Sequence, residues 1–382
     1  MAGEISIQQL LQTPVISKVV SQLAVRDSVL QRFFGLQIGS SSITRQSGRN
    51  VGWDIFNRTR TLAKGRAPNA GPATISRKPI CHVSTQCFRM HEKIHLFQDE
   101  IFRTRPLGTA LGNVDVRGQD YVSKQVEYGT QRFRNAREFM VSRVPRGGFG
   151  VRLEGEDWYL VEKADSSATF TVDYQVPSGN TGDIDGVIDA PWDDPSARII
   201  NQLLNLEKRS ERITGFPARH VWINGTTFGH LLENIQLQNV GGTAYRIFET
   251  LTKRESDVDK GGFPSGGFDC VFRGLPLHTF HIYNGVLNVD TDDSTALADS
   301  SLFIPDGKAI ICPEPSSMWI GGVDGSEIVA ENVMDMGKEV FGFHNWSTRV
   351  IDPAGWEMKF LDNFIPSLYI PSVMYYPTVT SE

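Results

Sequence analysis

The sequence predicts an α+β protein in which helices and strands alternate irregularly. One long amphipathic helical pattern runs over residues 115–143, and many short β-prone runs surround it. The 36 glycines and 19 prolines are scattered through the chain, as expected for many turns and much strand. With 382 residues, 40% hydrophobic and 21% charged, and no low-complexity tract, the chain has a folded protein's composition and enough length for several domains.

In chain order, residues 1–40 carry a loose helical pattern (Leu10, Leu11, Val15, Val19, Leu23, Phe33, Phe34) interrupted by Pro14, which predicts a mobile arm with a short helix. Over 50–98, Trp53, Ile55, Thr59 and Thr61 lead to a Gly/Pro-rich tip at 64–72, and Ile75, Ile80, Val83 and Phe88 lead back. This reads as one long hairpin too thin in apolar residues to bury a core, so it is expected to lie on a neighbouring subunit. Over 115–143, Val122, Val126, Gly129, Phe133, Ala136 and Met140 form a single apolar stripe, with Asp115 or Asp120 as cap and Pro145 as stop. About 25 residues at roughly 1.5 Å each make a rod of around 40 Å. Arg132, Arg134, Arg137 and Glu138 are expected on its solvated or contact face.

Further on, 151–153 and 158–161 flank a turn at 154–157, a tight hairpin. The Gly/Asp-rich acidic loop 177–194 is expected to be poorly ordered before assembly. Asp193, Asp194 and Pro195 predict the opening of a helix carrying Ile199, Leu203 and Leu206 and ending at Gly215. A strand over 220–223 precedes a helix capped by Asn224 or Thr226 and carrying Phe228, Leu231 and Leu232. More strands are expected at 269–283, 308–312, 317–320 and from 357 onward.

Charge is unevenly distributed. From Arg45 to His91 there are nine basic residues against the single acid Asp54, and from Glu154 to Asp194 eleven carboxylates against the single Lys163. The whole chain carries only −6, so neither stretch follows from overall composition. A basic stretch and an acidic one on the same chain let copies attract each other head-to-tail, which points to self-assembly. The candidate contact residues are Arg58, Arg60, Lys64, Arg66, Arg77 and Lys78 on the basic side and Glu154, Glu156 and Asp157 on the acidic side. Which pairs form is left open.

Four cysteines (Cys81, Cys87, Cys270, Cys312) make no CxxC pair, and residues 1–12 lack the basic and apolar regions of a signal peptide, so a reducing cytoplasm is expected. The uncharged run 363–381 contains Pro366, Pro371 and Pro377; it is a poor membrane helix and suits extended segments at a sheet edge.

Several stretches resemble the major capsid proteins of tailed bacteriophages, most nearly the lambda-like major capsid protein E family with its Hong Kong ninety-seven type of fold. They are Leu30 to Phe34 (LQRFF), Trp222 to Phe228 (WINGTTF), Phe272 to Pro276 (FRGLP), Phe303 to Gly307 (FIPDG) and Lys359 to Tyr369 (KFLDNFIPSLY). The resemblance implies an N-terminal arm over 1–49, an extended β-hairpin loop over 50–98, a peripheral domain with a long spine helix over 99–196, an axial α+β domain over 197–315, and a return to the peripheral domain with a C-terminal strand over 316–382. It implies a shell subunit forming hexamers and pentamers around double-stranded DNA, assembled in a bacterial cytoplasm. The implied partners are further copies of itself, a separate scaffold protein, a portal and a decoration protein, with DNA held without sequence specificity and no membrane. No matching Lys–Asn–Glu set supports covalent cross-links. An encapsulin-type compartment or another virion (tail) protein are the alternatives.

No other chemistry competes well. Cys81, Cys87, His91 and His95 would share one face of a continuous strand but lack the two close ligand pairs of a zinc site. Asn288, Asp290, Asp292, Ser294, Ala296 and Asp299 have calcium-loop spacing, yet Asp293 stands where glycine is needed and Asp299 replaces the bidentate Glu. Asp183, Asp185, Asp189, Asp193 and Asp194 sit on a Gly-rich stretch with no rigid support for a glycosidase pair. No G-x-S-x-G elbow, P-loop, dinucleotide fingerprint or H-E-x-x-H occurs, so neither enzyme activity nor a cofactor is expected. The basic hairpin, with Trp53 and Phe56 nearby, could stack on nucleic acid, but a pI near 5.8 argues for protein pairing.

Overall fold

The computed structural model describes residues 28–56, 80–97, 116–182, 188–239, 267–272, 275–285, 302–330, 337–350 and 355–381. Its first helix, α1 (Val29–Phe34), stops at Gly35, whose left-handed φ of 69° closes the last turn. α1 is docked rather than mobile. Its first-turn amides of Leu30 and Gln31 bond the Glu138 carboxylate at 2.7 and 3.0 Å.

β1 (Ile43–Gln46) leads to β2 (Asn50–Phe56), which pairs antiparallel with β3 (Ile80–Gln86) from Asn50↔Gln86 to Phe56↔Ile80. The base of the predicted hairpin therefore exists, but it rests on its own chain. Val51, Trp53 and Ile55 alternate with more open positions and enter the core, and Trp53 packs on Tyr174 at a ring distance of 5.8 Å. The returning limb also stops short of residue 98. At Cys87 the chain leaves the ribbon, and β4 (Phe88–Phe97) instead pairs with β16 (Gly355–Leu368).

The long helix α2 (Val116–Arg143) ends ahead of Pro145, and Val122, Val126, Phe133 and Met140 are buried as its stripe requires. Gly129 allows α2 to lie directly on β16: a Cβ there would come within 2.7 Å of the Phe360 ring. Gly148, at φ 142°, turns the chain into the three-stranded sheet of β5 (Gly148–Glu154), β6 (Asp157–Glu162) and β7 (Phe170–Asp173). β8 (Thr181–Gly182) follows.

The described part of 177–194 is held in place: the buried Trp192 bonds Val379 through its backbone amide at 2.5 Å and Gln202 through its indole at 2.9 Å. These ties hold 191–197 in turns, where Asp194 accepts from the amide and hydroxyl of Ser196 at 2.8 Å each. Asp193 and Asp194 therefore do not cap a helix; α3 (Ile199–Thr214) begins at Ile199 and ends at Gly215 as expected. β9 (His220–Ile223) leads to α4 (Gly225–Glu233), capped by the Asn224 side chain on the Thr227 amide at 2.9 Å, and then to α5 (Ile235–Asn239).

β10 (Gly267–Cys270), β11 (Thr279–Tyr283) and β12 (Ile310–Cys312) join β9 in a sheet of order β10-β11-β9-β12. This sheet packs against α3 and α4 as one core. The larger core lies between α2 and a six-stranded sheet completed by β13 (Ile320–Val329), β14 (Lys338–Phe341) and β15 (His344–Val350).

β16 is central rather than an edge. β4 flanks one side, and β15 and β13 flank the other in succession. Pro366 fits there because its carbonyl accepts from the Tyr174 hydroxyl at 3.0 Å, on the side away from β13; its missing donor thus faces the space beyond the end of β4 at Phe88↔Phe364. The chain closes with β17 (Tyr376–Pro377) parallel to β8.

Candidate assembly surface and the charge framework behind it

The basic contact candidates Arg58, Arg60, Lys64, Arg66, Arg77 and Lys78 lie outside the described residues. So does the calcium-like stretch 288–299. The acidic candidates are described. Glu154 and Asp157 face each other across the β5–β6 turn, which Gly155 makes possible with φ 64°. Glu154, Glu156 and Asp157 are exposed, beside exposed Leu153 and Tyr159. Arg152 pairs with Glu154 at 3.0 Å and lies 5.5 Å from the Tyr159 ring. The hairpin thus presents an acid tip on an apolar shoulder.

The charge separation seen along the sequence is partly closed within the fold. Arg49 and Arg89, from the basic stretch, both reach Glu327 of β13 at 2.8 Å. Burial works against the Glu327 charge, but the hydrogen bonds and positive charge of Arg89 outweigh it and hold its pKa below the usual carboxylate value. In the acidic stretch, Asp173 is met by Lys163 at 2.9 Å and Glu162 by Arg143 and Arg146 at 2.6 and 2.9 Å.

The arginines of α2 overturn the expectation of a solvated face. Arg134, Arg137, Glu138 and Arg143 are all buried, and Arg132, paired with Glu92 at 2.7 Å, is the more open one. Arg137 grips Asp362 of β16 with two bonds of 2.6 Å, touches Asp324 of β13 at 3.4 Å and lies 4.0 Å over the Phe364 ring. Burial opposes its charge, yet the Asp362 carboxylate prevails and the guanidinium is stabilised. Asp324, buried beside a base already neutralised by Asp362, is pushed up to about 6. Arg143 bonds the Phe303 carbonyl at 3.2 Å and Ser142 at 2.8 Å, and burial together with the charge of Arg146 brings it down to about 10. Glu138, enclosed between α2 and α1, is pushed up to about 7 by burial.

These groups fasten the arm helix, both sheets' connections and α2 to one another. One signal pointed to them: Arg137 falls four residues after Phe133 and three before Met140, on the apolar stripe itself.

The metal candidates do not converge. Cys87 is buried at the break between β3 and β4, so the parity that would align it with His91 and His95 does not carry across. His91 stacks near Trp346 at 5.8 Å, and His95 approaches Glu357 at 3.5 Å. Among the described residues no group of three metal-ligating side chains occurs, and no helix is long and apolar enough to cross a membrane.

With this geometry in view, the comparisons with known proteins are informative about fold. A solved structure described as the capsid protein of a prophage of Escherichia coli CFT073 aligns with 99% of this chain and 100% of its own, at 13% identity and a TM-score of 0.51. A phage-related protein from Bordetella bronchiseptica RB50 aligns over 96% of each chain, at 10% identity and a TM-score of 0.50. No family model matches the sequence, and no curated protein matches it. The chain has the α+β phage capsid fold over nearly its whole length.

Proposed function

We propose that this chain is a major capsid protein whose activity is assembly: hexamers and pentamers of it form an icosahedral head shell around double-stranded DNA, and it is not an enzyme. The observation that carries this reading is the end-to-end match of fold to a protein described as a prophage capsid protein, with neither chain leaving a substantial part uncovered. The LQRFF, WINGTTF and FIPDG runs support the lambda-like family within that fold.

In this reading subunits meet around an axis through the region 197–315. The hairpin, anchored by Val51, Trp53 and Ile55 in its own subunit's core, extends its basic tip to a neighbour, and acid tips such as that of β5–β6 receive it. Exposed ion pairs contribute about 0–1 kcal/mol each, so they set register while apolar contacts supply most of the affinity. The site of action is the virion capsid, with a separate scaffold protein, a portal and a decoration protein as partners.

The test is negative-stain microscopy with light-scattering mass on the full chain, alone and co-expressed with a neighbouring scaffold gene. Closed shells of uniform diameter or capsomer-sized rings are expected. A chain that stays monomeric at every salt and protein concentration overturns the reading.

A further inference from the structure

Beneath α1, four side chains form an unbroken hydrogen-bonded row across the four-stranded sheet. Asp269 of β10 meets His281 Nδ1 at 2.6 Å, His281 Nε2 meets His220 Nδ1 at 2.9 Å, and His220 Nε2 meets Glu314 at 2.5 Å. His220 and His281 are buried on adjacent strands with their rings nearly coplanar, edge to edge, and His281 stacks on Trp222 at 4.2 Å. The Phe33 ring of α1 sits on all three, at 5.0 Å from His220, 4.9 Å from Trp222 and 5.2 Å from His281.

Counting protons gives this row a definite charge state. Ionised carboxylates only accept, so Asp269 requires a proton on His281 Nδ1 and Glu314 one on His220 Nε2. The contact between the rings requires a third. Two neutral imidazoles carry two ring protons, so the intact row holds one extra proton shared by the pair, that is, one imidazolium between two carboxylates. Remove it, and two lone pairs face each other at 2.9 Å. The charged form is also the one attracted to the aromatic faces of Trp222 and Phe33.

We infer that the His220–His281 pair is a proton-dependent latch for the arm helix: with its shared proton it holds Phe33 and α1 on the sheet, and without it α1 loosens. The latch is therefore closed while the pair holds its shared proton and opens as pH rises. The surrounding charged groups leave this sign unchanged. Arg219, next to His220, is neutralised by Glu207 of α3 at 2.7 Å, and His278, 3.7 Å from the same Glu207, has its charged form disfavoured by burial. Cys312, opposite His220 in β12, stays a thiol because burial pushes it up. Arg32 lies on α1 itself. Glu138 holds the other end of α1, and since burial raises its pKa from 4.5 to about 7, its contribution is also lost as pH rises through 7.

The decisive variant is Glu314→Gln. The Glu314 side chain is 83% exposed, so the exchange leaves folding undisturbed. The new amide can donate to His220 Nε2, and the row then closes with two ring protons and a neutral imidazole pair. Hydrogen exchange of the Leu30 and Gln31 amides reads the docking of α1, since their acceptor is Glu138 of α2, while the Arg32, Gly35 and Leu36 amides, bonded within 28–36, read whether the helix itself holds. In full-length chains of matched assembly state, the protection of the variant relative to the unmutated chain should be about one at pH 6 and about tenfold at pH 8, the gain of one hydrogen bond. Glu138 acts equally in both chains and cancels from the ratio. A ratio that is the same at both pH values, or below one at pH 8, overturns the latch.

Discussion

Arg137 shows how a single residue decides the internal order of this subunit. A guanidinium with no exposed surface is tolerable only because Asp362 meets it with two bonds of 2.6 Å, while Phe364 covers its face. Asp324, at 3.4 Å, adds a second carboxylate that is raised to about 6 rather than a second strong bond. Asymmetry follows: the pair as a whole contributes little net stability, but half of it is expensive. Asp362→Asn, which keeps the shape and removes the charge, should destabilise the subunit by about 3–5 kcal/mol, while the paired change Arg137→Met with Asp362→Leu should cost far less. Denaturant unfolding of the three chains checks this; equal losses for the single and the paired change would show that packing, not charge, is what Asp362 supplies.

At the scale of elements, α2 lies directly on β16, and Gly129 makes that approach possible. An alanine there would gain helix propensity of about 1 kcal/mol. Its Cβ, however, would stand 2.7 Å from the ring of Phe360, which is fully buried and cannot swing aside. Overpacking of that kind costs about 1–3 kcal/mol, so Gly129→Ala should be destabilising on balance. Gly229, in α4, is the control: nothing lies within 4 Å of its added Cβ, so Gly229→Ala should be stabilising by about 0.5–1 kcal/mol. Thermal unfolding of both variants separates the effects, and a stabilised Gly129→Ala would refute the close approach.

The same elements show what a sequence can and cannot disclose. The α2 stripe, the Gly215 stop and the Asn224 cap are local signals, each complete within a few residues, and all three appear where expected. β1, β14 and β15 gave no such signal, because short, partly polar runs become strands only through distant partners such as β13 and β16. The buried arginines were misread as a surface for the same reason: the carboxylates that neutralise Arg137 lie 187 and 225 residues further on. The Asp269–His281–His220–Glu314 row was hidden altogether, since strand pairing sets Asp269 beside His281 and His281 diagonal to His220, and Glu314 reaches the row from beyond the end of β12.

For the whole molecule, the proposed assembly raises the question of how charge that contributes so little per contact can govern it. Part of the basic stretch is already spent inside the subunit, where Arg49 and Arg89 are held by Glu327. Among the charges the fold leaves outward is the acid tip of Glu154, Glu156 and Asp157. Changing all three to Lys swings the tip's charge from −3 to +3, yet the β5–β6 register from Phe149↔Glu162 to Leu153↔Trp158 does not depend on them. The subunit should therefore unfold at an unchanged denaturant midpoint. Each exposed pair is worth about 0–1 kcal/mol, but like charges brought together add repulsion of similar size. A net loss of about 1.4 kcal/mol per subunit contact raises the concentration needed for assembly about tenfold. Because a Debye length shrinks from about 10 Å at 0.1 M salt to about 3 Å at 1 M, that gap should narrow at high salt if it is electrostatic. Light scattering against protein concentration at the two salt levels measures it. An assembly threshold identical to that of the unmutated chain would remove the acid tip from the interface and leave the apolar shoulder of Leu153 and Tyr159 to account for any contact made there.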